Sequence, residues 1–298
     1  MVNPGSGGGR GRRRAARCEA LLRAAGLAYE KGETRNLEEA RTLARRALDE
    51  GRDPLVAVGG DGTINRVVQA LAEAREEGTA ARLGVLYTGT SPDFCRFHRL
   101  PRSPEAAVDR LLHAPARPVD VGRVEGEDRT AHFICSANLG LGAGIARRAN
   151  RRRPRLGDFL GTLSAALESM ARSRPGRVRL RLDGEEITLD RVHNITLGKN
   201  PFLASGLKLE AGVTPADGSL YCFALHGVGR LGALLSLPGA YTGRLARDRR
   251  FFLRRCVDAA VEPLDRSLAA EFDGDPAGWC PTRITLLPGA LSLIGGGG

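Results

Sequence analysis

Lysine is scarce in this chain of 298 residues: 42 of its 45 basic residues are arginine, and only Lys31, Lys199 and Lys208 are lysine. Base composition of the gene explains that bias as readily as selection for guanidinium chemistry. The net charge of +11 therefore narrows the partners to nucleic acid, anionic headgroups or phosphorylated small molecules, and says nothing about fold. The six cysteines (Cys18, Cys95, Cys135, Cys222, Cys256 and Cys280) form no C-x-x-C pair and have no histidine at finger spacing. That argues against a zinc site or a disulfide framework and leaves reduced, mostly buried thiols. Long apolar runs are missing as well. The uncharged apolar stretch Leu231 to Gly243 is broken by Pro238 and Gly239 and falls short of the roughly 20 residues that span a bilayer. Met1 to Arg17 is glycine and arginine without the apolar core of a secretory signal, so a cytoplasmic protein with at most peripheral membrane contact is expected. No G-x-x-x-x-G-K-[ST] loop occurs, which excludes a P-loop nucleotide hydrolase.

Hydrophobic residues make up 42% of the chain, enough for two modest cores. Residues 1–118 alternate helix and strand patterns. Leu21, Leu22 and Ala25, then Glu38 to Leu48, have helical spacing; Leu55 to Val58 and Leu83 to Tyr87 are short buried runs of the parallel-strand kind. Ile64, Val67, Val68 and Leu71 mark one helix face, and Ser103-Pro104-Glu105 reads as an N-cap with proline at the first helical position. This is βαβ material, and it predicts an α/β half. Residues 119–298 are strand-rich. Val178, Leu180 and Leu182 alternate with arginines, Asp183-Gly184 turns the chain toward Ile187 and Leu189, and further runs follow at Ser219 to Leu225, Val257 to Val261, Arg283 to Leu287 and Ala290 to Ile294. The last of these is free to return to the first domain. One helix interrupts the strands, with Leu156, Phe159, Leu160, Leu163, Leu167 and Met170 on one face, a stripe expected to lie in the core.

Val58-Gly59-Gly60-Asp61-Gly62-Thr63, between a buried strand and an amphipathic helix, is the sharpest chemical motif. Its glycines let backbone amides approach a phosphate, and the helix N-terminus adds partial positive charge. A tight turn with an aspartate cap would account for one or two of these residues, not for all of them together. Gly140-Leu141-Gly142-Ala143-Gly144 is no dinucleotide fingerprint, because Ile145 stands at the third glycine position and no acidic residue follows at a strand end about 20 residues on. Close packing at a strand end explains it better.

Asn3-Pro4-Gly5-Ser6-Gly7, Gly59 to Thr63, Gly89-Thr90-Ser91-Pro92-Asp93-Phe94, Asp217-Gly218 and Asp273-Gly274-Asp275 recur in an order that resembles the diacylglycerol kinase catalytic-domain family over nearly the full length. The double-glycine Asp-Gly-Thr turn is shared with NAD kinases; the Gly-Thr-x-x-Asp-Phe and late Asp-Gly-acid segments make the match specific. The resemblance implies an α/β nucleotide domain of the NAD kinase/diacylglycerol kinase-like kind, a β-rich second domain and an active site in the cleft between them. It further implies ATP bound by Asn3, Pro4, Gly5, Ser6, Gly7, Thr34, Gly59, Gly60, Asp61, Gly62, Thr63, Ile64, Asn65, Gly89, Thr90 and Asp93. A structural Mg²⁺ would sit on Asp217 with the carbonyls of Thr214 and Ser219, while Asp61, Asp93 and Asp120 would organise metal and water at the phosphates. Asp273, assisted by Asp275, would be the general base, since phosphoryl transfer needs something to accept the hydroxyl proton; by itself the Asp273-to-Pro276 segment is equally an ordinary turn.

The chain departs from the family pattern at four places: Pro92 replaces an asparagine, Asp275 a glutamate, Arg66 a glutamate and Gly8 a lysine. Only two residues precede Asn3, so the strand leading into that loop is expected to be curtailed. Six arginines in Arg147 to Arg155, and six in Arg244 to Arg255 beside Tyr241, Phe251 and Phe252, suit an anionic bilayer or a solvated helix face. No nucleic-acid-reading module accompanies them. The expected function is an ATP- and Mg²⁺-dependent kinase of diacylglycerol or a similar lipid, in contact with the membrane surface and compatible with a homodimer. A soluble-substrate kinase of the NAD kinase type and a non-enzymatic nucleotide-binding homologue are the alternatives.

Overall fold

The computed structural model describes residues 1–6, 10–126, 130–203, 207–233, 235, 251–279 and 282–296. In chain order the first elements are α1 (Arg10–Ala24), α2 (Leu37–Asp49), β1 (Leu55–Gly59), α3 (Asp61–Glu76), β2 (Arg82–Tyr87), α4 (Asp93–Phe97), α5 (Pro104–His113), β3 (Ala116–Glu125), β4 (Thr130–Phe133) and β5 (Ser136–Gly140). Then come α6 (Leu141–Leu156), α7 (Asp158–Ala171), β6 (Gly176–Leu182), β7 (Glu185–Val192), β8 (Asn194–Gly198), β9 (Phe202–Leu203) and β10 (Leu207–Lys208). The last are β11 (Leu220–Leu225), β12 (Phe251–Cys256), β13 (Asp258–Pro263), β14 (Ala269–Phe272), β15 (Asp275–Trp279) and β16 (Thr282–Ile294). The chain divides into two compact units, Met1–Val121 with Pro288–Gly298, and Gly122–Leu287.

The first unit is α/β. β1 and β2 run parallel in the register Leu55↔Leu83 to Gly59↔Tyr87, and Ser292 and Leu293 of β16 add a further parallel strand beside Arg82 and Leu83. Val2, itself buried, makes isolated parallel bridges to Val58 and Glu33. Its contacts continue into Cys18, Leu22, Leu86 and Val108, which join α1 and α5 to the sheet. Caps fix the helix starts: Asn36 accepts from the Glu39 amide at α2, and Ser103 from that of Ala106 at α5.

The second unit is built of antiparallel strands. One sheet follows the order β12-β11-β8-β5-β14-β15, while β7, β6, β13 and residues 282–285 of β16 pair in the other. Inward-facing residues of both, such as Leu139, Leu180, Leu197, Ala259 and Ile284, form one apolar cluster. In β6 the alternation is complete, with Val178, Leu180 and Leu182 buried and the intervening arginines exposed. Asp183 and Gly184, at φ 48° and 89°, form the two central residues of the turn into β7, the two-positive-φ hairpin that Asp-Gly favours. The two apolar runs read near the C-terminus are one strand, β16, carried through Pro288 and Gly289. Gly140 and Gly142 do mark close packing: a Cβ on either would lie under 3 Å from His193 O or Asn138 Cβ. The described cysteines are free, with Cys18, Cys95, Cys222 and Cys256 buried; Cys280 lies outside the described residues. Burial pushes the thiols of Cys18 and Cys95 up to about 11 and about 12, so neither is a thiolate at neutral pH.

One expectation is overturned. The Leu156-to-Met170 stripe is not core: Phe159 is 59% and Leu160 58% exposed, Leu156 and Leu167 are also exposed, and Met170 alone of the six is buried. α7 instead packs its small residues, Thr162, Ala165, Ala166 and Ser169, against α6. Thr162 accepts from the Arg153 guanidinium at 3.2 Å and Ser169 from Arg148 at 3.2 Å, while Glu168 gathers Arg148, Arg152 and Arg172. A face of small and polar residues binds the arginine-rich helix more closely than bulky side chains could, and the large apolar residues are left outside. Phe159→Ala should therefore change stability by less than about 0.5 kcal/mol, whereas Ala165→Leu should cost roughly 1–3 kcal/mol by overpacking. Urea denaturation of the two variants checks this, and the reverse ranking would restore the core reading.

Candidate functional site

Three segments of the first unit meet at the carboxyl ends of its parallel strands, where ligands of open α/β sheets bind. The Asn3 amide donates to Val58 O at 3.0 Å and Asn3 Nδ2 to Thr63 Oγ1 at 3.0 Å, while Asn3 Oδ1 accepts the Gly5 amide. Pro4 lies within this turn, and the Ser6 amide closes it onto Asn3 O. Ser6 Oγ lies 2.5 Å from Thr88 Oγ1, and the Thr88 amide donates to Gly59 O at 2.8 Å. The phosphate turn and the turn after β2 touch backbone to backbone: a Cβ on Gly89 would stand 2.6 Å from Gly60 Cα. Thr34, buried, donates its amide to Val2 O at 3.0 Å, beside Asn3. Gly7 and Gly8 lie outside the described residues.

Gly60 caps α3, with Asp61 and Gly62 first in the helix. The Ile64 side chain is fully buried and its amide donates to Gly60 O at 3.1 Å. Asn65 is different. It is 1% exposed, yet neither Oδ1 nor Nδ2 has a hydrogen-bond partner. An amide left in that state costs about 1–3 kcal/mol, which a bound polar ligand would recover. Beside Thr88 to Thr90 lies a cavity of about 660 Å³, lined also by Pro92, Arg14 and Arg102, a volume and charge suited to an anionic small molecule. Arg14 and Arg102 were hidden from sequence reasoning among forty other arginines. Pro92 caps α4 without a side-chain bond. Asp93 pairs with Arg96 at 3.2 Å, and Asp120 accepts the Gly289 amide at 2.9 Å. Arg66 reaches Glu38 at 2.5 Å and so ties α3 to α2.

In the second unit, Asp273 and Gly274, at φ 50° and 90°, form the same two-residue hairpin turn as Asp183 and Gly184. The Asp273 carboxylate accepts three main-chain amides, Ile134 at Oδ2 (2.9 Å) and Cys135 and Ser136 at Oδ1 (2.9 and 2.8 Å). Three such donors fix the orientation of the carboxylate in the turn. Asp275 opens β15 opposite Phe272; its side chain lies outside the described residues. Missed by sequence reasoning was the buried Glu271, which accepts Asn138 Nδ2 at 2.5 Å and the Gly274 amide at 2.6 Å. Asn138 in turn accepts from Thr196 Oγ1 at 2.6 Å and Asn194 Nδ2 at 3.4 Å. The signal was there: Ser136 and Asn138, and Asn194 and Thr196, are polar pairs at strand spacing in otherwise apolar runs.

At the expected structural metal site the residues do not fit a metal. Lys199 Nζ, with the residue fully buried, donates to Asp217 Oδ1 at 2.5 Å and to Ser219 O at 2.9 Å. Asp217 also accepts the Thr214 amide, the Ser219 amide and hydroxyl, and the Arg255 guanidinium. Burial pushes the Asp217 carboxyl up, but Lys199 and these amides outweigh it and hold it below the usual carboxylate range. One carboxylate oxygen and one carbonyl assigned to a cation by resemblance are thus taken by an ammonium.

Comparison with known proteins follows the same division. The model of the diacylglycerol kinase catalytic domain matches residues 1–124, and that of the YegS C-terminal NAD kinase beta sandwich-like domain matches residues 135–295. A protein of Pseudomonas aeruginosa named probable lipid kinase YegS-like is 32% identical over 263 residues, 86% of this chain and 80% of its own length. A diacylglycerol kinase of Mycobacterium tuberculosis is 27% identical over 296 residues, 99% of this chain and 93% of its own. A solved structure of a diacylglycerol kinase from Bacillus anthracis shares the fold with a TM-score of 0.74 at 18% identity, covering 98% of this chain and 94% of that one.

Asp273→Asn should lose about 2 kcal/mol of stability, because an amide offers one acceptor oxygen and turns an N–H toward another donor. Urea denaturation reads this directly, and an unchanged midpoint would show that the three amide bonds do not hold the turn.

Proposed function

The chain belongs to the diacylglycerol kinase catalytic-domain family with the YegS type of C-terminal domain, and from that premise we propose an ATP-dependent kinase that phosphorylates a hydroxyl of diacylglycerol or a similar lipid. At the family level it is a lipid kinase. What supports the nucleotide assignment is Asn65, a buried amide with both ends unmet in the helix that follows the phosphate turn, together with a cavity beside Thr88 to Thr90 edged by two arginines.

Among the described residues no three acidic, histidine or cysteine side chains cluster as a metal site. An ion at Asp61 and Asp93, with Asp120 beyond, would therefore be completed by water and phosphate oxygens, as Mg²⁺ commonly is. Bound with ATP, Mg²⁺ neutralises phosphate charge. The lipid hydroxyl oxygen bonds to the γ-phosphorus as the bond to the bridging oxygen of ADP breaks. Because the Asp273 carboxylate is engaged by three amides, the hydroxyl proton passes to Asp275, and Asp273 is the positioning residue that holds the turn carrying it.

Membrane contact belongs to the same proposal. The exposed Leu156, Phe159, Leu160 and Leu167 share the helical pair α6 and α7 with exposed Arg147, Arg151 and Arg155, which is the apolar-plus-basic composition of an interfacial surface. No helix among the described residues is long and apolar enough to cross a membrane. The cluster from Arg244 falls outside the described residues up to Arg250, so it adds nothing to this surface.

The test is transfer of labelled γ-phosphate from Mg-ATP to diacylglycerol, phosphatidylglycerol, a sphingoid base and NAD. Label in a lipid product, reduced roughly a hundredfold or more by Asp275→Asn, is the expected result. Label in NAD alone selects the soluble-substrate kinase, and no label selects the non-enzymatic homologue. Asn65→Ala should weaken ATP binding about tenfold by calorimetry without lowering the melting temperature. Phe159→Ser with Leu160→Ser should cut binding to phosphatidylglycerol vesicles by about tenfold or more, while turnover of a detergent-dispersed lipid stays unchanged.

A further inference from the structure

The turn from Thr214 to Ser219, which leads into β11, has the donors of a cation site and already contains its cation. Lys199 follows β8, is anchored by its own amide on Cys135 O at 2.9 Å, and extends its ammonium to Asp217 Oδ1 and Ser219 O. Arg255, from β12, approaches the same carboxylate at Oδ2 (3.1 Å) and donates to Ser219 Oγ at 2.7 and 3.0 Å. Two unit cations on one carboxylate supply the charge that a divalent ion would bring. Asp217 Oδ1 accepts three donors and Oδ2 two, which uses up the lone pairs an ion would need. A divalent ion beside the buried Lys199 ammonium would also meet like-charge repulsion at a few ångströms.

The residue type supports this reading. In a chain that uses arginine for 42 of 45 basic positions, the one cation enclosed here is a lysine. An ammonium is a compact point charge with three donors, which Lys199 directs to a carboxylate oxygen and a carbonyl, whereas a guanidinium is a planar fork suited to bidentate pairing. We propose that Lys199 is a built-in replacement for a structural divalent cation, so that the Thr214–Ser219 turn forms without metal and any magnesium requirement is confined to the nucleotide. This stands apart from the kinase reading, since it concerns folding of the second unit rather than turnover.

The test uses the full chain without nucleotide. The melting temperature of the wild-type protein should be the same in EDTA and in magnesium chloride, and equilibrium dialysis should find no tightly held manganese. Lys199→Ala should melt roughly 5 °C lower or more in EDTA and regain part of that loss in magnesium chloride, and the regain should vanish when Asp217→Asn is added. A wild-type melting temperature that falls in EDTA, or one tightly held manganese per chain, would overturn the proposal whether or not the variants fold. So would a Lys199→Ala protein that melts like wild type or ignores magnesium.

Discussion

Aspartate carboxylates bound to distant main-chain amides are the interaction on which the rest of this structure depends. Asp273 holds Ile134, Cys135 and Ser136; Asp183 holds Val257 and Asp258; Asp120 holds Gly289; Asp217 holds Thr214 and Ser219. Each is a charge-assisted bond to a donor that a strand end or turn would otherwise leave unsatisfied. Most span many tens of residues, so they fix which strand ends lie side by side rather than simply finishing a local turn. The two Asp-Gly hairpins show the device twice. In both, glycine and aspartate accept the positive φ that the turn demands, and the freed carboxylate reaches across to a neighbouring strand end.

That constraint reshapes the chemistry. A carboxylate committed to three amides orients its surroundings, so Asp273 holds the turn of the late motif in place. In the first unit the phosphate-binding elements are amide and hydroxyl groups, with Asn3, Ser6, Thr63 and Thr88 bonded to one another and Asn65 left unmet. The groups around it are tied before any ligand arrives, which lowers the ordering cost of binding. Asn65, buried with neither polar atom bonded, stands in the helix that opens from the same turn.

Much of this was legible in the sequence. The short apolar runs at Leu55 and Leu83 are strands because they are buried on both faces, and the glycine turn after the first stands where a parallel strand hands over to a helix. Asp183-Gly184 declared its hairpin by residue type alone. The failures have physical reasons. A stripe of large apolar residues on a helix is core by default, and it failed at α7 because Thr162, Ala165, Ala166 and Ser169 pack closer to an arginine-rich partner than leucines can. Arg283 to Leu287 and Ala290 to Ile294 read as two runs, yet β16 carries both through Pro288 and Gly289. The three amides that the Asp273 carboxylate holds were not legible, because a motif names a residue without saying which atoms it bonds.

Net charge concealed the rest. A surplus of +11 draws attention to patches, but the informative cations here are those distinguished by enclosure and type. Exposed arginines of α6 repeat a habit of the whole chain. Lys31 bridges Glu19 and Glu33 at 2.7 and 2.6 Å while one-third exposed, an ordinary ion pair in solvent. Lys199 makes a bond as short with no exposure at all, where removing Asp217 would leave a buried ammonium without that counter-charge. Equal formal charges therefore carry different weight: the first can be lost with little consequence, while the second decides whether a carboxylate can be kept inside the fold without a metal ion.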